Sequence, residues 1–472
     1  MELLFESRQE VGNVSGKAYP VQGRARLHPE PVLLGSNDAD GAGVSCYGTV
    51  LREGGVYRLW YQAWPRNWNG ENASLVAYAE STDGLVWRKP SLALHPTRRG
   101  DNNLTDLPFH SPAVFVDPTA PAAARYRATG YTEPRYEGVP AGLAGGGYYT
   151  AHSADGLHWT LDQPAPAWRS ADVITSVWHP GQQRGVVSLK RGARVRGFGR
   201  RAIWQAECRA GQWSADHSAL VPDDYDDICA MGRGFASADY YGMAMLPAGG
   251  GTAGFIWQFR HTLPRTGGAG AGVFGATDVT LAYQAGPGDR WLHQPGRPDF
   301  ISHGALPWTD GGTYTAAASV MAGDEQRLYF CGALHSHGWY VDENWKISEP
   351  HKATMIAEGF GRIGFASWPC WRLFGFRGDP VGALSLALPP PSRAVSLHLN
   401  CEAEPGGSVR VELPGRAGFG VGEAVPLAGD QLAAPVAWTG GTTIVPVPGA
   451  THLSVRLHLD RATVWAWELR DA

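Results

Sequence analysis

The segment Ser81-Thr82-Asp83-Gly84-Leu85-Val86-Trp87 returns as Ser153-Ala154-Asp155-Gly156-Leu157-His158-Trp159. An Asp-Gly pair between short apolar runs predicts a tight hairpin turn, because glycine accepts the positive φ that the turn requires. Degenerate copies follow at Gly211-Gln212-Trp213, Gly288-Asp289-Arg290-Trp291 and Glu343-Asn344-Trp345. A period of roughly 70 residues, each unit long enough for four short strands, is the mark of a propeller. Five such units between about residue 36 and residue 370 predict five blades.

The remaining composition agrees with many short strands. Among 472 residues there are 62 Gly, 34 Pro and 19 Trp, and sustained helical periodicity is almost missing. A chain of this length exceeds one ordinary core, so two domains are expected. The net charge of -4 gives no footprint for nucleic acid or an anionic membrane. No apolar run is long enough to span a bilayer, and Met1 to Arg8 does not read as a secretory leader, which predicts a cytoplasmic protein. The six cysteines are scattered, as for packed reduced thiols. Oligomeric state is not legible.

Blade one is expected around Tyr47–Leu51 and Val56–Tyr61, blade two around Ala113–Val116, Arg125–Ala128 and Tyr148–Ala151. Blade three runs from Val173–Trp178 to Trp213, blade four from Tyr240–Met243 to Trp291, and blade five from Tyr314–Ala317 to the region of Trp345. Beyond Trp368 the turn motif stops, and alternating runs at Val395–Leu399, Val409–Leu413 and Leu453–Leu459 read as a β-sandwich. The expected fold class is all-β: a five-bladed propeller over residues 1–370 followed by a sandwich over 371–472.

Such a propeller, with Ser-x-Asp-Gly-x-x-Trp turns and an appended sandwich, resembles glycoside hydrolase family 32 and its relatives in families 43 and 68. Tyr47-Gly48-Thr49-Val50 and Tyr57-Arg58-Leu59-Trp60-Tyr61-Gln62 are similar to the opening blade of invertase-type enzymes. Asp101-Asn102-Asn103-Leu104, Ser111-Pro112-Ala113-Val114 and Gly407-Ser408-Val409-Arg410-Val411 resemble a set of family-32-like proteins. The resemblance implies a sugar substrate, but its catalytic motifs are not retained. Ser45 stands where the nucleophilic Asp would be, and His110-Ser111-Pro112 falls on the Arg-Asp-Pro motif. Glu207-Cys208 reproduces the letters of the acid motif on an expected outer strand.

Inner strands of a propeller converge on its axis, so residues at their leading ends share one volume. Glycoside hydrolysis needs two carboxyls, and Asp172 with Asp239 is the best pair on this reasoning, with Asp40 and His110 as further catalytic candidates. Asp38, Ser45, Asp227, Tyr240 and Tyr314 are candidate substrate contacts. Trp64, Trp178 and Tyr240 offer flat faces for sugar rings. Arg260 and Arg362 could fork onto an acidic sugar. The bland readings compete at each position: a turn-capping Asp, a structural His, an internal Arg pair, blade packing for Trp. The run Asp223-Asp224-Tyr225-Asp226-Asp227 reads as a solvated loop or a hard-cation site, and His335-Ser336-His337 lacks a third ligand. No cofactor or metal is expected.

The leading expectation is a glycoside hydrolase acting on a short or terminal sugar, a small carbohydrate being the only partner. Two alternatives stand beside it: a non-catalytic sugar-binding propeller, and a lyase using His and Tyr on an acidic sugar. A hydrolase requires two carboxyls within about 10 Å across a pocket. A lyase requires His or Tyr facing an Arg.

Overall fold

A computed structural model describes residues 1–5, 11–68, 75–98, 100–170, 172–264, 272–341, 347 and 349–472. Five antiparallel sheets follow one another along the chain, as the repeat predicts. Their inner strands are Gly43–Glu53, His110–Val116, Ile174–His179, Ser237–Ala248 and Gly312–Thr315. Blade five ends in Glu325–Ala333 and Arg362–Pro369, and its outermost position is filled by Arg26–Leu27, which pairs Leu27 with Ala366. The N-terminal segment therefore closes the ring. The Trp345 turn of the sequence reading lies outside the described residues.

The two strong Asp-Gly copies do more than reverse the chain. Ser81 Oγ accepts the Gly84 N–H at 2.8 Å, and Asp83 Oδ1 accepts those of Leu85 and Val86 at 2.8 and 2.9 Å. Ser153 and Asp155 repeat this geometry. Each turn then docks on the preceding blade of the ring. Trp60 of blade one donates its indole N–H to Gly156 O at 2.6 Å, and Tyr329 of blade five donates to Gly84 O at 2.8 Å. The repeat is an inter-blade clamp, and glycine is needed because a Cβ on Gly156 would stand 2.7 Å from the Trp60 ring.

Nearer the axis, hydrogen bonds join every pair of adjacent blades. Val114 N donates to Thr49 Oγ1 at 2.9 Å, Ser176 Oγ to Ala113 O at 3.4 Å, and Thr175 Oγ1 to Met243 O at 2.5 Å. Met245 N donates to Ala317 O at 3.0 Å, and Ala317 N to Gly48 O at 2.9 Å, completing the circle.

The accessory body differs from the expected division at residue 370. It is one seven-stranded sheet in the order Val11–Gln22, Phe374–Leu388, Leu453–Asp471, Val395–Glu412, Asp430–Pro435, with Glu2–Leu3 and Thr443–Ile444 at its margins. Residues near the N-terminus thus belong to it. Its three long central strands shift register at one level, around Gly378–Val381, Ala403–Ser408 and Asp460–Ala462, and the sheet wraps a single apolar core. Phe5 bridges the two bodies, 4.9 Å from the Phe374 ring and 5.3 Å from Tyr283. All six cysteines are free thiols. No helix among the described residues is long and apolar enough to cross a membrane.

Removing one partner of a buried hydrogen bond strands the other, at a cost of about 1–3 kcal/mol. Thr49→Val and Trp60→Phe are each expected to lower unfolding stability by that amount in urea titrations. An unchanged midpoint in both would show that the inter-blade bonds contribute nothing.

Candidate functional site

Three inner strands break register where they meet the axis. Blade one shifts between Ser45 and Thr49, blade two between His110 and Ala113, and blade four between Tyr240 and Gly242. A bulge leaves a residue unpaired and re-aims its side chain. In blade four the extra residue is Tyr241, which lines the axial cavity, while Tyr240 is buried away from it against Asp226 and His293. The cavity holds about 480 Å³. Beneath it Tyr47, Tyr314 and Trp257 plug the channel, with Tyr47 stacked on Trp257 at 5.8 Å and Tyr314 edge-on to both.

Asp172 is the centre of the polar side. It sits at φ 91°, a strained conformation for a side chain with a Cβ. Its Oδ1 meets His110 Nε2 at 3.1 Å, and its Oδ2 accepts from Tyr241 OH at 2.9 Å and from Lys190 Nζ. Burial alone would raise this carboxyl, but the Lys190 ammonium and the His110 hydrogen bond outweigh burial and hold it well below the ordinary range. Burial also lowers the Lys190 ammonium and raises the Tyr241 phenol, so Tyr241 keeps its proton. With Nε2 committed to Asp172, His110 Nδ1 is buried and has no hydrogen-bond partner among the described residues. Tyr241 OH also reaches His337 Nε2 at 3.1 Å, and the other nitrogen of that ring donates to Val273 O at 2.5 Å.

Arg201 completes this wall, its guanidinium 5.4 Å above the Tyr241 ring and 4.9 Å from Phe259. Behind it lies Asp239, 3.6 Å from Arg201 and bonded to Arg200 at 2.9 Å and His261 at 3.0 Å. Asp239 does not line the cavity. Asp172 is the one carboxylate that does so among the described residues, so the expected Asp172–Asp239 pair is not assembled there.

The other expected residues divide in the same plain way. Ser45, Trp64, His110, Asp172 and Tyr314 line the cavity. Asp40 is buried outside it, capping the loop before blade one through the N–H groups of Ser36 and Asn37 and held by Tyr61 OH and Lys89. Asp38 is exposed beside Arg66. Asp227 pairs with Arg200, and the acidic run around it is no open loop: Asp223 caps the helix Asp224–Met231. Trp178 is half-buried in blade three, opposite Gly185, and does not reach the cavity. Arg260 is buried between Asp278 and Asp299, the internal-pair reading, and burial lowers it to about 10. Arg362 bonds to the carbonyl of Glu358. Glu207 pairs with Arg184 towards the far end of the strand that carries Arg201, and does not line the cavity.

Sequence reasoning missed Tyr47, Lys190, Arg201, Tyr241, Trp339, Tyr340 and Phe360, and weighed His337 only as a metal ligand. For two of them a signal existed: Lys190 and Arg201 bracket the densest run of cations in the chain. That run forms a long hairpin, Arg184–Val195 with Phe198–Arg209. Among the described residues no three His, Cys, Asp or Glu side chains gather as a metal site.

No family model matches the chain, and no curated protein matches it. Solved structures do. One is a glycoside hydrolase family 43 arabinoxylan arabinofuranohydrolase from Bacillus subtilis, at 11% identity and TM-score 0.40 over 92% of this chain and 96% of that one. Another comes from a study of the GH130 family of mannoside phosphorylases and of hydrolases targeting β-1,2 mannosidic linkages in Candida mannan. It matches at 12% identity and TM-score 0.45, over 74% of this chain and 95% of that one. An N-acetylgalactosamine deacetylase from F. plautii matches at 13% identity and TM-score 0.44, over 74% and 96%. These are distant likenesses of the propeller fold.

Two buried imidazoles, His337 in the cavity and His293 beside Tyr240, give the protein a pH signature. Burial first, then Arg201, pushes His337 from 6.5 down to about 4, and burial pushes His293 to about 3. As pH falls from 6.5 towards 4, the unfolded chain takes up protons that the folded chain refuses, so stability declines across that window. Urea midpoints should drop accordingly, and less steeply in His337→Asn. An equal slope in that variant would refute the assignment.

Proposed function

We propose that the protein is a carbohydrate-active enzyme that works on a short or terminal acidic sugar in the axial cavity, abstracting a proton next to the sugar carboxylate. The observation that carries this reading is the Asp172–His110 dyad, an ionised carboxylate fixing one imidazole nitrogen and leaving the other without a partner among the described residues, in a cavity that Arg201 and Lys190 also line. A base facing a guanidinium suits lyase chemistry better than two opposed carboxyls would.

In the proposed step His110 Nδ1 takes the proton from the carbon alpha to the carboxylate. The released electron pair forms a C=C bond, the C–O bond at the β carbon breaks, and the departing oxygen takes the Tyr241 hydroxyl proton. The planar Arg201 fork suits the carboxylate bidentately and stabilises the charge that builds on it. Lys190 adds a second cation while keeping Asp172 ionised. Hydrolysis is the second reading, favoured by Asp172 being an ionised group on the cavity wall; there the dyad would activate water. A kinship with invertase-type enzymes would then be one of scaffold, since Ser45 brings a hydroxyl where they carry their acid.

Incubation with oligouronides and matching neutral glycosides separates these readings. Elimination yields an unsaturated product that absorbs in the ultraviolet, whereas hydrolysis yields only new reducing ends. His110→Gln is expected to lower turnover by about 10²–10⁴-fold. Preference for the neutral glycosides, or an indifferent His110→Gln, would sink the proposal, and saturable binding without product would mark a binding protein.

A further inference from the structure

The cavity is chemically two-sided. Asp172, Lys190, Arg201 and His337 form one wall, from blade three and the segment after Ala333. Trp64, Phe360, Tyr340, Trp339 and Ile347 form another, from blade one and the end of blade five. The second wall is built as a rigid aromatic cluster: Trp64 lies 4.9 Å from Phe360 and 5.7 Å from Trp68, and Tyr340 lies 5.8 Å from Phe360. Its floor position is fixed as well, since Trp64 stands 6.2 Å from the His110 ring.

One polar atom on this wall is unexplained. Trp64 is only 4% exposed, yet its Nε1–H has no acceptor among the described residues. A buried donor without a partner is costly unless a ligand supplies one. Apart from this N–H, the Tyr340 hydroxyl, the Trp339 indole and the His335 ring that lies 4.0 Å from Trp339, the wall presents hydrocarbon. A second sugar ring stacked on these faces would bring more hydroxyls than those few groups can bond.

We infer that the ligand is two-ended: a sugar acid whose carboxylate meets Arg201 and Lys190, and whose glycosidic substituent is apolar and preferably aromatic. The linking oxygen accepts from Trp64 Nε1–H, and the substituent lies on Phe360 and Tyr340. This rests on the reading of the polar wall as an acid-sugar site. It adds a ligand class, aryl or alkyl uronides, and a specificity residue, Trp64.

Isothermal titration calorimetry tests it without requiring turnover. The probes are phenyl β-D-glucuronide and phenyl β-D-galacturonide, the two free uronic acids, phenyl β-D-glucoside and a uronic acid disaccharide. At least one phenyl uronide is expected to bind about tenfold or more tightly than its free acid, the glucoside or the disaccharide. Trp64→Phe should weaken that phenyl uronide about threefold to tenfold and leave the free acid unchanged. Phe360→Leu should act likewise, and Arg201→Met should weaken both acids while sparing the glucoside. The inference is overturned if the disaccharide binds best, if no probe binds, or if both aromatic variants, shown folded by circular dichroism, bind all probes as the parent does. Elimination activity on oligouronides alongside a disaccharide preference would defeat this inference alone. Phenyl uronide binding as expected, with no unsaturated product from the oligouronides, would defeat the proton-abstraction reading alone.

Discussion

The closed circle of hydrogen bonds around the axis is the constraint on which the rest depends. Thr49, Ser176, Thr175, Ala317 and Gly48 each tie one blade to the next within a few residues of the cavity floor. Because those positions are fixed, the register breaks just beyond them become tools. The breaks insert two extra residues in blade one and one each in blades two and four, and Tyr47, His110 and Tyr241 stand at them on the cavity wall. The site is thus a set of deliberate irregularities on a rigid ring. The strained φ of Asp172 belongs to the same pattern, since local strain persists only where surrounding structure over-determines it.

Electrostatics explains why so many charges tolerate burial there. Signs alternate from Asp172 through Lys190 on one branch, and from Arg201 through Asp239 to Arg200 and Asp227 on the other. Each ion has an opposite neighbour, which offsets much of its desolvation. The order of the chain matters more than its sum. The carboxylates of the second branch stand behind the guanidinium, so the surface offered to a ligand is cationic and aromatic, with one acid among the described residues.

The fold was legible because a repeated turn leaves its mark in letters: glycine at a position where a Cβ would strike Trp60, and serine and aspartate whose side chains bond the turn backbone. The site was legible only in part. His110, Asp172, Ser45 and Tyr314 follow from their place at the leading ends of inner strands. Tyr241 does not, because a bulge of one residue exchanges it with Tyr240, and no spacing rule reveals a bulge. Asp239 was misjudged for a related reason, since the reading placed its strand correctly but could not see Arg201 inserted in front of it from a neighbouring blade. Trp339, Tyr340 and Phe360 come from the segments around blade five that carry no repeat at all. The division at residue 370 does not hold because strand pairing ignores chain order, so Glu2–Leu3 and Val11–Gln22 join a sheet otherwise built from the last hundred residues.

That interleaving has a consequence for biogenesis. Arg26–Leu27 must wait for Arg362–Pro369, and Val11–Gln22 for Phe374–Leu388, before either can be paired. Such long loop closures are slow steps in folding. During synthesis the first segment therefore emerges early and stays unpartnered until the final strands leave the ribosome. A chain that stops before Phe360 lacks part of the cavity lining, and one that stops before Arg362–Pro369 leaves the strand edges of the ring unpaired.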